Sequence, residues 1–182
     1  MIPEFYDRGE NGIPTAWVKR MRESMARLTP RFSADRTVRE YTGQHYLPAA
    51  AAYRERTADK AAVGRQVVSW QHALRQKWAT LQFGEVQVAT DAERHVFKVD
   101  VYLNDLDPNA VRVELYADGV NGDAPVRQEM KRVRQLAGSS GSYVYSAALS
   151  VARPPTDCTA RIIPQFSGVA IPLEDARILW RR

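Results

Sequence analysis

The apolar residues change period near residue 80, and a chain that does so cannot be built from one kind of layer. From Pro14 to about Trp78 they recur at helical spacing, whereas beyond Leu81 they alternate with polar residues, as half-buried strands require. This predicts an α+β fold: an N-terminal helical segment, residues 1–80, followed by an antiparallel β-sandwich, residues 81–182, immunoglobulin-like in broad shape.

Within the first half, Pro14 opens a helix, since its missing N–H would have no partner there. Trp17, Met21, Met25 and Leu28 then form one stripe that Pro30 is expected to end. Ser33 can cap a second helix by accepting from the free N–H groups of its first turn, with Val38, Tyr41, His45 and Tyr46 on or near one face. Pro48 should kink or restart it. After the helix-forming Ala49–Ala52, Val63, Val67, Trp70, Leu74 and Trp78 fall at steps of four and three, the pattern of an amphipathic helix.

In the second half, Phe97, Val99, Val101 and Leu103 alternate with Lys98, Asp100 and Tyr102, and Val111, Val113 and Leu115 alternate with Arg112, Glu114 and Tyr116. Both runs read as strands with one buried face. Further strands are expected over Tyr143–Val151, Thr159–Phe166 and Arg177–Trp180. Turn signals separate them at Asp107-Pro108-Asn109, Asp118-Gly119, Asn121-Gly122, Gly138-Ser139-Ser140-Gly141 and Pro154-Pro155.

Composition narrows the function classes. Cys158 is the only cysteine, which excludes an intrachain disulfide or cysteine-rich zinc site, fits a reducing cytoplasm, and reads as a buried, unreactive thiol. No stretch approaches the roughly 20 apolar residues of a membrane span, and the N-terminus lacks a basic region followed by an apolar one. A cytoplasmic protein is expected. Residues 1–80 hold 14 Lys/Arg against 8 Asp/Glu, residues 81–182 hold 12 against 13, so the net charge of +5 resides in the helical half. A basic helical surface around Arg20, Arg22, Arg27, Arg31 and Arg36 could attract nucleic acid. That reading ranks last, because Glu23, Asp35 and Glu40 interrupt the positive surface.

Catalytic and metal chemistry find little support. His45, His72 and His95 are scattered without ligand spacing, so no metal site is expected. Asp105, Asp107 and Asn109 imitate the start of a calcium loop, but Ala110 stands where Gly is needed and Tyr116 where a bidentate Glu should be. Gly138-Ser139-Ser140-Gly141 precedes a strand rather than a helix, unlike a phosphate cradle, and its serines have no adjacent base. Tyr102 and Tyr116 are the candidate sugar contacts, expected on the polar faces of two adjacent strands where rings could stack on a sugar's apolar face; half-exposed packing is the competing reading. The four tryptophans lie on apolar stripes or at a strand end and read as packing residues.

Particular residues carry a family resemblance. Tyr6-Asp7-Arg8, Gly12-Ile13-Pro14, Trp17, Met21, Pro30-Arg31-Phe32-Ser33-Ala34, Arg36, Arg39, Glu40-Tyr41 and Tyr46-Leu47-Pro48-Ala49 mark the first half. Arg161-Ile162-Ile163-Pro164, Gly168, Ile171-Pro172-Leu173-Glu174 and Ile178-Leu179-Trp180 mark the far end. Together they resemble the C-terminal region of bacterial alpha-glucan (glycogen) phosphorylases, with a match in outline between. Such enzymes transfer a glucosyl unit between an α-1,4-glucan and phosphate, using pyridoxal phosphate on a lysine upstream of the segment resembled. The resemblance therefore implies a non-catalytic portion, inactive alone: the closing helices of the catalytic domain plus an appended sandwich. No catalytic, cofactor-binding or metal residue is carried over. The implied partner is the remainder of the catalytic domain, with a homodimer where that is missing. The alternative is a stand-alone glucan-binding module presenting Tyr102 and Tyr116.

Overall fold

The computed structural model describes residues 2–120 and 122–181, except the side chain of Ile2. Asn121 of the expected Asn121-Gly122 turn lies outside the described residues. The chain forms two compact units, one ending at Ala58 and one beginning at Asp59.

The first unit holds α1 (Ile2–Tyr6), α2 (Thr15–Phe32), α3 (Ala34–Tyr41), a π-helical turn (Thr42–Tyr46) and the opening of α4 (Leu47–Lys77). Pro14 is the cap residue of α2, one step before the helix. The helix does not stop at Pro30, as its sequence suggests, but continues to Phe32. A proline removes only the bond from its own N–H and crowds the carbonyl four residues back, so a last turn survives it. Ser33 is what ends α2: its backbone turns extended, with ψ of 147°, and its Oγ accepts from Arg36 N at 3.3 Å, capping α3 as expected. Pro48 restarts the helix in a specific way. The wider π-helical turn immediately before Leu47 relieves the clash a proline ring makes with the preceding turn.

None of the described side chains from residue 3 to residue 58 is buried. The stripe of α2 is open, with Met25 64% exposed, and Phe32 is 72% exposed. Phe5 meets Trp17 edge-on at 5.7 Å and Glu4 forms a two-pronged pair with Arg20 at 2.7 and 2.8 Å, which ties α1 to α2 without making a core.

The second unit has one core. The latter part of α4 buries Val67, Trp70 and Leu74, the expected face, and Trp70 Nε1 donates to Ala110 O at 3.0 Å. A short 3-10 turn (Trp78–Thr80) leads into eight strands: β1 (Gln82–Thr90), β2 (Arg94–Tyr102), β3 (Val111–Ala117), β4 (Val126–Glu129), β5 (Lys131–Gln135), β6 (Ser142–Ser150), β7 (Thr159–Pro164) and β8 (Leu179–Trp180). They form two four-stranded antiparallel sheets, ordered β1-β2-β6-β5 and β4-β3-β7-β8. Read as A to G with one extra strand after C, this is the A-B-E-D and C-F-G arrangement of an immunoglobulin-like sandwich. The chain changes sheet at buried Met130, between β4 and β5.

Alternation places Phe97, Val99 and Val101 of β2 against Val111, Val113 and Leu115 of β3 in the core, as expected. Glu114 departs from it. Expected on a wet face, it is buried because Arg161 and Arg112 close over its carboxylate. The Gly138–Gly141 segment is a turn as expected, and Gly141 is demanded there: its φ is +74°, and a Cβ would lie 1.5 Å from Asn104 O.

Candidate functional site

Strand pairing decides first what Tyr102 and Tyr116 can do together. Tyr102 belongs to β2, paired with β1 and β6, and Tyr116 to β3, paired with β4 and β7. The expectation that their strands are adjacent is therefore wrong. The connection Leu103–Ala110 crosses between sheets, so the two rings lie on the outward faces of opposite sheets and form no joint platform.

Tyr116 belongs to a cluster that no single stretch of sequence displays. Register puts Glu114 opposite Arg161, and Arg161 opposite Trp180. Arg161 Nε donates to Glu114 Oε1 at 2.7 Å, and its guanidinium lies 4.3 Å from the Tyr116 ring centre and 5.0 Å from that of Trp180. The two rings meet edge-on at 5.3 Å. Such cation–π contacts strengthen where water is excluded, and the rings leave Arg161 only 8% exposed. Tyr116 Oη donates to Asp118 Oδ1 at 3.0 Å, a bond that holds the phenol pKa above its ordinary value. Both groups of this arginine lid are thus occupied in closing a buried ion pair.

Tyr102 has different surroundings. At Gly84 a Cβ would lie 2.7 Å from Tyr102 Cε2 and 3.1 Å from Asp100 Cβ, so the glycine makes room for the ring against β1. Beside it the outer face of the β1-β2-β6-β5 sheet holds a recess of about 240 Å³, lined by Glu85, Gln87, Lys98, Asp100, Arg134 and Val144 among others. Val144 is its buried apolar floor. Sequence reading missed it, because the residues come from four strands whose register no local pattern reveals.

A second cavity, about 360 Å³, opens between the sheets and is lined chiefly by apolar side chains, among them Val86, Phe97, Val99 and Leu115. Cys158 lines it too. The thiol is half-buried rather than fully buried, and burial pushes its pKa up, away from a reactive thiolate.

The other candidates serve structure. Asp107 accepts from Asn109 N at 2.9 Å within its own turn, and Asp105 pairs with Lys77 at 2.8 Å, which lowers the Asp105 pKa. His72 bonds Gln76 at 2.9 Å and His95 bonds Thr90 at 2.7 Å. Among the described residues no three His, Cys, Asp or Glu side chains converge as metal ligands. Pyridoxal phosphate is not fitted by any lysine: Lys19, Lys60, Lys98 and Lys131 are exposed, and half-buried Lys77 is engaged by Asp105. Among the described residues no lysine offers an enclosed amine for an imine to form on. Of the basic helical residues, Arg20 is paired with Glu4, and Arg36 with Glu40. No described helix is long and apolar enough to cross a membrane.

Comparison with known proteins places this architecture. Several relatives align over nearly the whole chain. The glycogen phosphorylase of Mycobacterium tuberculosis strain H37Rv is 26% identical over 181 residues, covering 93% of this chain and 21% of the relative. The maltodextrin phosphorylase of Thermococcus litoralis is 28% identical over 170 residues, covering 90% and 20%. A shorter match, 35% over 46 residues, is to the glycogen phosphorylase of Aquifex aeolicus. The chain spans about a fifth of the length of the relatives it matches nearly throughout. The family described as glycogen phosphorylase C-terminal domain matches residues 78–181, which hold all eight strands, and the chain belongs to that family.

Proposed function

We propose that this chain is the non-catalytic C-terminal portion of an alpha-glucan phosphorylase, whose helices brace the catalytic domain and whose sandwich is an appended structural module. The domain limits follow the change of period, helices over 1–80 and sandwich over 81–182, a division supported by the family match beginning at residue 78. The parent would transfer glucosyl units between an α-1,4-glucan and phosphate, as the names of the relatives suggest, with the pyridoxal phosphate that the family resemblance implies. The lysine and phosphate-binding groups would come from the remainder of that enzyme. Alone, the chain is inactive.

One observation carries this reading: nothing described between residues 3 and 58 is buried. Short helices are marginal in water and gain most of their stability by packing an apolar face. Here Met21, Met25, Leu28 and Phe32 lie open along one helix, and Val38, Tyr41, Tyr46 and Tyr53 along the next segments. Relatives five times longer supply a natural cover in the other four-fifths of their length. Where that cover is missing, the same surface drives self-association into a homodimer.

The test mixes this chain with the remaining polypeptide of a glycogen phosphorylase truncated by its C-terminal fifth. A stable complex with restored phosphorolysis is expected, and Met25→Asp should weaken it at least tenfold. Turnover by the purified chain alone, or failure to associate, would refute the proposal.

A further inference from the structure

We propose that the recess on the outer face of the β1-β2-β6-β5 sheet is a binding site for a neutral polyhydroxylated chain, an α-1,4-glucan segment, held by Glu85, Asp100, Lys98 and Arg134 beside the Tyr102 ring.

The geometry begins with two irregularities. On β1, Phe83 pairs with Val101 and Val86 with Val99, so Gly84 and Glu85 together oppose Asp100. On β5, Arg132 pairs with Tyr145 and Arg134 with Val144, so Val133 is an inserted residue. Asp100 itself pairs with Val144. Both edge strands therefore bulge at the same rung of the sheet. A bulge bends its strand and re-aims a side chain, and bulges concentrate beside functional sites. Here they bring Glu85 and Arg134 to the two ends of a concavity floored by Val144.

The lining chemistry points to the class of ligand. Two carboxylates and two cations surround the recess, so its formal charge cancels and an ion of either sign gains little. No hydrogen bond or ion pair among the described residues engages the side chains of Glu85, Gln87, Lys98, Asp100 or Arg134, although opposite charges line one small space. Donors and acceptors left free in this way match a ligand whose every hydroxyl both donates and accepts. Gly84 lets the Tyr102 ring lie on β1 next to Asp100, which lines the recess, and an aromatic face one step along the strand can meet the C–H surface of a sugar chain that extends past it. The choice of an α-1,4-glucan among neutral polyols rests on the function proposed above.

Maltoheptaose binding to the intact chain, read by calorimetry, and retardation in glycogen-containing native gels test the site. Saturable binding is expected, weakened tenfold or more by the near-isosteric Asp100→Asn with Glu85→Gln, and also by Tyr102→Ala. Glu129→Ala, on the opposite sheet, should change nothing. Because Tyr102 also packs on Gly84, unchanged circular dichroism of the Asp100→Asn/Glu85→Gln protein secures the interpretation. Absence of maltoheptaose binding, or affinity unaltered by the double substitution, would overturn the proposal. Met25→Asp should leave glucan affinity intact, so failure here is separable from failure of the bracing role.

Discussion

At the scale of single residues, the buried pair Glu114–Arg161 is the most exposed to damage. Ionised groups leave water at a cost of several kcal/mol, and only close partners return it. Glu114 is 2% exposed, and its second partner, Arg112, approaches Oε2 at 3.3 Å. Arg161→Met should therefore lower the unfolding free energy by about 3 kcal/mol, the usual range for stranding one charge being roughly 3–5, measured by urea denaturation. Adding Glu114→Leu removes the stranded charge, and the double variant should recover most of the loss. A single variant as stable as the unaltered protein would show that the pair contributes nothing. None of this is visible in the sequence. Alternation marks Glu114 and Arg161 as outward-facing, and only the pairing of β7 with the two-residue strand β8 brings Trp180 over them. Tyr116 could be singled out from its own strand, but its partners could not.

The elements show the same division between what a local pattern can and cannot specify. β2, β3 and β6 are legible because apolar residues alternate along a buried face, and β7 because it is a short apolar run buried almost throughout. β1 is blurred by its bulge, which puts Gly84 and Glu85 in succession on one side, and β4 and β5 are charged edge strands with no apolar face. The β1–β2 hairpin depends on Asp91, whose Oδ1 accepts from Glu93 N at 2.9 Å and Arg94 N at 2.8 Å. Those backbone bonds depress its pKa below the ordinary carboxylate value. A depressed folded-state pKa stabilises fully above the unfolded value, and the gain disappears as pH falls through the folded one. Asp91 should thus titrate below about 3.9 by carboxyl NMR, with the hairpin fraying only in stronger acid. Asp91→Ala should abolish that step, and a normal pKa would contradict the assignment. In α4, Asp59, Lys60 and Ala61 have φ of 51°, 55° and 60°, a left-handed passage without glycine. Each costs roughly 1–2 kcal/mol, so Ala61→Gly should raise the melting temperature. In an ordinary right-handed helix the same change would lower it, and the sign of the shift distinguishes the two.

Across the whole molecule, burial is unequally shared: every buried residue lies from Val67 onward, and the first unit has none among its described side chains. Periodicity reports which face of a helix is apolar, not whether anything covers it, so the stripe Trp17-Met21-Met25-Leu28 is legible while its open state is not. Opening free energies follow buried apolar contact, from near zero in uncovered segments to the global value in core strands. Hydrogen exchange on the intact chain should therefore divide it, with backbone amides of β2, β3, β6 and β7 exchanging only through global unfolding. Those of α2 and α3 should exchange orders of magnitude faster, since isolated helices of 18 and 8 residues are marginal in water. Adding the remaining four-fifths of a phosphorylase should slow exchange along Met21, Met25 and Leu28 and leave the core strands unchanged. Protection of α2 and α3 that already equals the sandwich's in the isolated chain, and persists on dilution, would mean that these helices need no cover, and the bracing role would fall with it.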